Sequence, residues 1–463
     1  MSGINLAECK FTLISMLELI YVDLKFHMEV VLLVIMEHDA MLIEKQAEEL
    51  KFRARKDSAR YDPLFKVGTE IEACLLDDKG SSVNASPLIN ELQNSKFFQN
   101  SGCMIDYEYG SGQFEFKTSP IPITNLLDLE TIYEEFIIEH LEKAIKKVYK
   151  EKIVIPVFLG ANPSPNILQD NIVTDIDRYK KLFEWQSKFS DIELEGKRFK
   201  AAHIAAGIQG FHFHLQGRNP TYAVLMFNHI LNLIASSIIL GANSKLFAGK
   251  VFSFHEPRIY LYDQSEQQNS GFPAITTYPN NIENYIDYIK SRKPIIARDY
   301  FDLEKERHDD VRIRLNSEFY RVETRIVSVQ PTPKALMAMI EFFVGYIYKA
   351  ILEESYGEKL LRSLSILREE RQASVQSGFN ATSHFPMVDT IKVQLDYARK
   401  GLSDLNVKPE FLNILESRIK NRISPSEYVA SLWDKKFNGS VHETIFEVIS
   451  HIWEKTKKNE PIM

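Results

Sequence analysis

The chain carries only three cysteines, Cys9, Cys74 and Cys103, and no Cys-x-x-Cys pair. An odd, sparse set excludes a disulfide framework and fits a reducing compartment. None has the flanks of a catalytic thiol, so all three read as small buried residues. Positive charge is not in excess either. Lys and Arg number 56 against 63 Asp and Glu, for a net charge of −7 and a pI near 6.0. That balance leaves no electrostatic footprint for nucleic acid or an anionic membrane surface. A nucleotide held through metal ions stays open, because carboxylates can carry the metal that carries the phosphates. Internal repeats and low-complexity segments are missing as well.

An uninterrupted membrane-length apolar run is lacking too. Residues 11–36 come nearest, but Glu18, Asp23, Lys25, His27 and Glu29 break the run. A spanning helix tolerates few such charges, which argues against stable membrane insertion. There is no basic n-region and no small-residue cleavage site, so a secretory signal is not indicated. Two readings remain: an apolar helix or strand docked on the body, or upstream sequence with the functional chain starting near Met28 or Met36. A cytoplasmic protein is the expectation.

What is present is ordinary globular composition, 44% hydrophobic and 26% charged over 463 residues, enough for a large core. Residues 36–56 read as a helix. Val67 to Leu76 alternates as a strand and ends at the turn Asp78-Lys79-Gly80. A second strand is expected over 104–120, broken by Gly110 and Gly112. A long amphipathic helix follows, with Thr124 or Asn125 as N-cap. A short buried strand comes near residue 155, a histidine-bearing strand over 205–216, and one apolar helix over 219–243. Residues 244–310 show few periodic signals and read as a long covering segment. Another strand precedes Pro331, and from Lys334 onward the pattern is helical. The fold class is therefore α+β: a mostly antiparallel sheet flanked by helices, with an all-helical C-terminal region. The expected divisions are an N-terminal extension (1–60), a catalytic unit (61–345) and a helical region (346–463). The sequence sets no oligomeric state.

Side chains two apart on a strand share a face. Glu70 and Glu72 do so, as do His212 and His214, and Glu323 and Arg325. Glu108 and Glu115 flank a glycine turn, with Gln113 on the face of Glu115. A single Glu-x-Glu is ordinarily a solvated face, and a single His-x-His ordinarily structural. Here "GTEIE", "EYGSGQFE", "GFHFHL" and "VETR" each embed their charges in runs that otherwise read as buried. Brought together, these glutamates would repel one another unless a cation neutralised them. Oxygen-rich donors with one histidine suit Mg²⁺ or Mn²⁺ better than zinc. The chemistry that fits is phosphoryl transfer, with Arg325 offering a bidentate cation.

The same stretches resemble a known family. "VGTEIE" resembles the G-x-E-x-E strand of the glutamate–cysteine ligases and related carboxylate–amine ligases, which share a glutamine synthetase-like catalytic fold. "EYGSGQFEFKTSP" is similar to their E-x6-E segment, and "GFHFHL" to their G-x-H-V-H strand. "GANSKLFAGK" resembles an Asn-Ser loop, and "VETRIVSVQPTP" a V-E-x-R-x-x-D-x-Q-x-T strand, all in the family's order between residues 64 and 335. The resemblance implies an ATP- and Mg²⁺-dependent ligase acting on small amino acid substrates. ATP phosphorylates a carboxylate, glutamate being the commonest, and an amine such as cysteine attacks the acyl phosphate. It further implies metal positions at Glu70, Glu72, Glu108, Glu115, His212 and Glu323. His214 and Arg325 fall near the phosphates and the transition-state charge, and Arg258 where a substrate- or phosphate-binding arginine stands. Ser328 replaces the pattern's Asp, Lys245 replaces a Pro, and "EERQASVQSGF" lacks a Trp and a second Arg. Those departures leave the metal set intact and the amine acceptor open. A phosphotransferase on another acceptor and a nucleotide-binding interaction protein are the alternatives.

Overall fold

A computed structural model describes residues 37–59, 65–266, 269–315, 319–355 and 361–462. The segment 11–36 and Cys9 lie outside the described residues. The body is built on an eight-stranded sheet. Its strands are β1 (Lys66–Asp77), β2 (Met104–Tyr107), β3 (Gln113–Lys117), β4 (Ile121–Pro122), β5 (Val154–Val157), β6 (Gly210–Gly217), β7 (Val311–Arg314) and β8 (Tyr320–Ser328). The spatial order is β7-β8-β6-β1-β3-β2, with β4 and β5 pairing opposite ends of β1, and every pairing in the sheet is antiparallel.

Alternation gives this sheet two unlike faces. One carries Thr69, Ile71, Phe114, Phe116, Phe211, Phe213, Leu215 and Val322, all buried. Helices cover it: α1 (residues 127–149), α2 (Pro220–Leu231), α3 (Ile234–Gly241) and, after the last strand, α4 (Pro333–Ser355). Phe116 stacks on Phe136 of α1 with ring centroids 4.0 Å apart, and Phe213 on Phe343 of α4 at 4.9 Å. Aromatic pairs of this kind contribute about 0.5–1.5 kcal/mol beyond their buried area. The helix α4 is long and apolar enough to cross a membrane, and it is mostly buried in the fold.

Several expectations need correction. The stretch 104–120 is a hairpin of two strands, β2 and β3, because the glycine-bearing segment 108–112 reverses the chain. Residues 123–125 form a 3-10 turn and α1 starts at Leu127, so neither Thr124 nor Asn125 caps it. The histidine strand starts at Gly210, since 201–207 are helical turns. The single apolar helix is two, α2 and α3, bent by 58° at Asn232, whose carbonyl accepts from Gln394 Nε2 at 2.9 Å. Residues 244–310 hold helices Pro257–Glu266, Ile282–Lys290 and Tyr300–Lys305. β7 was not expected at all.

The described residues from Leu364 to Lys457 are mainly helical, as expected. There α5 (Met387–Asp404) crosses α4 at a pair of glycines. A Cβ on Gly401 would stand 1.8 Å from the Gly345 carbonyl oxygen, and one on Gly345 2.2 Å from that of Ala398. The two backbones touch, so the crossing has no room for a methyl group. Gly401→Ala is expected to destabilise the protein by about 1–3 kcal/mol, the usual cost of overpacking. A urea titration would show this as a lower midpoint with an unchanged slope.

Candidate active site

The second face of the sheet carries the charges. Antiparallel register sets Glu70 opposite His212, Glu72 opposite Glu115 and Glu323 opposite His214. Four strands thus bring the predicted residues together. His212 Nδ1 lies 3.0 Å from Glu70 Oε2, and its Nε2 lies 3.3 Å from Glu72 Oε1. Glu115 Oε1 is 3.9 Å from His212 Nδ1. Glu108 follows β2 directly, and its carboxylate accepts from the Tyr109 amide at 3.1 Å. The five glutamates and His212 form one wall of a cavity of about 440 Å³.

Electrostatics sort the carboxylates into two kinds. Burial, then the charge on Glu72, raises Glu108 to about 7. Burial, then Glu70 and Glu108, raises Glu115 well above the usual carboxylate range. Glu70 and Glu323 go the other way. Burial alone would raise Glu70, but His214 and His212 together hold it well below its ordinary value. Burial opposes Glu323 too, and is outweighed by Arg312 and Arg325. Arg312 grips Glu323 through Nε and Nη2 at 3.0 and 2.8 Å, and Arg325 Nη1 donates at 2.6 Å.

Among the described residues, two donor sets have the spacing of a cation site: Glu70, His212 and Glu323, and Glu72, Glu115 and His212, each with its ligand atoms within 4.8 Å of one another. Oxygen donors with one imidazole fit Mg²⁺ or Mn²⁺. Lys117 contributes a fixed positive charge, 2.7 Å from Glu115.

The remaining predicted residues divide. Arg325 and Arg258 line the cavity. Arg258 donates to the Ile326 carbonyl at 2.8 Å and from Nε to Glu256 at 3.3 Å. His214 stands outside the lining, with Nε2 3.5 Å from Glu70 Oε1. Sequence reasoning missed Lys117, Arg312 and Arg371. Lys117 was visible as the next same-face position after Glu115, and Arg312 with Arg314 as an alternating pair. Arg371 had no local signal. It comes from the helix Leu364–Ser377 and clamps Asp263 and Asp310, with Nε 2.6 Å from Asp310 Oδ2 and Nη1 2.7 Å from Asp263 Oδ2.

Residues 66–393 match the family described as Glutamate-cysteine ligase family 2. No curated protein matches the chain. Among solved structures, a bifunctional glutathione synthetase from Pasteurella multocida is similar at TM-score 0.56 and 14% identity, over 85% of this chain and 53% of that one. The chain therefore spans about half the length of that enzyme. A glutamate–cysteine ligase from Francisella tularensis, solved in complex with AMP, is similar at TM-score 0.53 and 12% identity, over 85% of this chain and 89% of that one. At such identities the likeness is one of fold.

The raised carboxylates carry a stability consequence in metal-free protein. Folding lifts Glu108 from about 4.5 to about 7, so between these values the folded state holds a proton that the unfolded state has lost. Stability falls as pH rises through that window and stays reduced above it. Glu108→Gln is expected to raise the melting temperature at pH 8 in EDTA and to leave it nearly unchanged at pH 4, as calorimetry would read.

Proposed function

The chain belongs to Glutamate-cysteine ligase family 2, and from that premise we propose an ATP- and Mg²⁺-dependent carboxylate–amine ligase, with glutamate as acyl donor and an amine such as cysteine as acceptor. Membership makes the protein an enzyme of the ligase class. The finer reading rests on one observation above all: five glutamates and His212 gather beside a cavity whose other lining side chains include arginines. A nucleotide triphosphate needs both features, oxygen donors for the cations that accompany it and guanidinium groups for its phosphates. The AMP complex of the Francisella enzyme supports a nucleotide in a fold of this kind.

In this reading Glu70, Glu72, Glu108, Glu115, His212 and Glu323 would hold the divalent cations, which offset charge on the phosphates when bound. Arg325 sits beside Glu323, so its guanidinium is held ready to meet the transferred phosphoryl group. Glu323 and Arg312 fix its position. Arg258, braced by Glu256 and the Ile326 carbonyl, presents a second cation to the cavity. His214 acts behind the wall, keeping Glu70 ionised and oriented. The carboxylate of the donor is phosphorylated, and the amine then displaces phosphate to give an amide. The two described cysteines, Cys74 and Cys103, are free, in keeping with a cytoplasmic enzyme.

The test is ADP release from purified protein given Mg·ATP, glutamate and a panel of amines including cysteine, with and without EDTA. Release should need glutamate, one amine and the metal together. Glu72→Gln and Glu115→Gln are each expected to cut it by about 100-fold or more, on the scale of losing metal or charge stabilisation, with circular dichroism unchanged. Normal turnover in both variants would overturn the metal assignment. A stable phosphorylated acceptor in place of an amide would make the protein a phosphotransferase.

A further inference from the structure

An amine acceptor arrives at neutral pH as an ammonium ion, which has no lone pair and must lose a proton before its nitrogen can attack a carbonyl. The ligase reading above leaves that proton without a destination. Most candidate acceptors around the cavity are already engaged. Glu323 is gripped by Arg312 and Arg325, Asp263 and Asp310 by Arg371, and Glu115 by Lys117. Both ring nitrogens of His212 face glutamates. Burial pushes the phenols of Tyr179 and Tyr262 upward, so they keep their protons.

His308 is placed differently. It lines the same cavity, but from the covering segment rather than from the charged face of the sheet. Its backbone is fixed by parallel pairing with Ser270. Nδ1 lies 3.1 Å from Glu266 Oε2. Glu266 is 2% exposed, and its other oxygen accepts from Gln186 Nε2. Gln186 in turn accepts from the Tyr109 hydroxyl at 3.0 Å. A carboxylate held at both oxygens fixes the imidazole tautomer: Nδ1 carries the hydrogen, and Nε2 keeps a lone pair.

We propose that His308, oriented by Glu266, is the general base that removes the proton from the amine acceptor, an inference that rests on the ligase reading above. The proton passes from the ammonium to His308 Nε2. The freed nitrogen pair forms the C–N bond to the acyl carbon, and the C–O bond to phosphate breaks with its electron pair going to the phosphate oxygen. The departing phosphate takes the nitrogen's second proton and leaves as hydrogen phosphate, giving the neutral amide. Glu266 offsets the imidazolium charge until the proton passes to solvent. Burial favours the reactive, neutral form. Burial lowers the His308 pKa, Glu266 raises it, and Arg325 and Arg312 lower it, with the net direction downward. The ring is therefore neutral at pH 7.

Hydroxylamine separates this step from the rest, because its nitrogen is already unprotonated at neutral pH and captures an acyl phosphate as a hydroxamate. With Mg·ATP and glutamate, His308→Gln is expected to lower amide formation with cysteine, or with its thiol-free analogue 2-aminobutyrate, by about 100-fold. Hydroxamate formation should stay within about twofold of wild type, which also shows that the variant is folded and makes the acyl phosphate. Amide synthesis by His308→Gln should recover as pH rises from about 7 to 9, supplying free amine from solution, whereas wild type should show no such rise. Glu266→Gln should give a smaller loss of the same pattern. Equal loss of amide and hydroxamate, or undiminished amide synthesis, would overturn the assignment of His308 alone. Wild-type protein that yields neither product would overturn the ligase reading and this step with it.

Discussion

Like charge crowded onto one face of a sheet is the constraint from which the rest of the structure follows. Glu70 and Glu72 leave β1 on the same side, and antiparallel pairing sets Glu115 directly opposite Glu72. Close carboxylates in a low-dielectric setting repel strongly and lose water as well. The sequence answers with compensating groups at neighbouring register positions: the imidazole of His212 across from Glu70, and the cations Lys117 beside Glu115 and Arg312 and Arg325 around Glu323. The compensation is incomplete, since Glu108 and Glu115 remain raised. A wall left with uncompensated negative charge has an electrostatic preference for a further cation. Such a wall also has to be held rigid against its own repulsion. The apolar side of the same strands does this through the Phe116–Phe136 and Phe213–Phe343 stacks. The glycine-to-glycine crossing then ties α4 to the helices beyond.

Much of this was legible because strands advertise themselves by period. Glu70, Glu72, His212, His214, Glu323 and Arg325 announce a shared face through spacing alone. Register then converts shared faces into contacts, and register is a property of pairs of strands that a single strand cannot display. That is why His214 could be placed on the right face and still not on the cavity wall: it pairs with Glu323 and sits behind Glu70. The covering segment was harder. The helix Ile282–Lys290 buries Ile282, Tyr285, Ile286 and Ile289 at helical spacing, but the turn residues around it hid so short a pattern. Arg371 was out of reach for another reason. Its partners Asp263 and Asp310 lie 108 and 61 residues away, so only tertiary structure unites them.

The covering segment also explains how one cavity comes to have two chemical characters. The sheet supplies carboxylates because alternate residues of neighbouring strands must point the same way. The segment between 257 and 310 supplies Arg258, Tyr262, Glu266 and His308 from elements that owe nothing to that alternation. Arg371 fastens it: by binding Asp263 and Asp310 at once, a residue from the C-terminal helices joins the helix Pro257–Glu266 to the start of β7. Buried ion pairs of this geometry contribute little net stability, and losing one partner is costly. Their value here lies in fixing position, because the two aspartates can be satisfied together in only one arrangement.

Ser328 is instructive in the same way. Where the family pattern has an Asp, the hydroxyl of Ser328 donates to Glu256, and Glu256 also accepts from Arg258 Nε and from the Asn243 amide at 3.0 Å. A carboxylate thus still meets this part of the strand, delivered from the chain just ahead of Arg258. Gly160 leaves the room: a Cβ there would come within 2.0 Å of the Ser328 hydroxyl. The larger side chain of an Asp at 328 would press on the same place and bring a second negative charge against buried Glu256. The replacement is therefore coupled to Glu256, and the pair keeps Arg258 anchored at both the carboxylate and the Ile326 carbonyl. Read from one strand, Ser328 is a missing charge. Read across the fold, it is the hydroxyl that lets a charge from another element take the position.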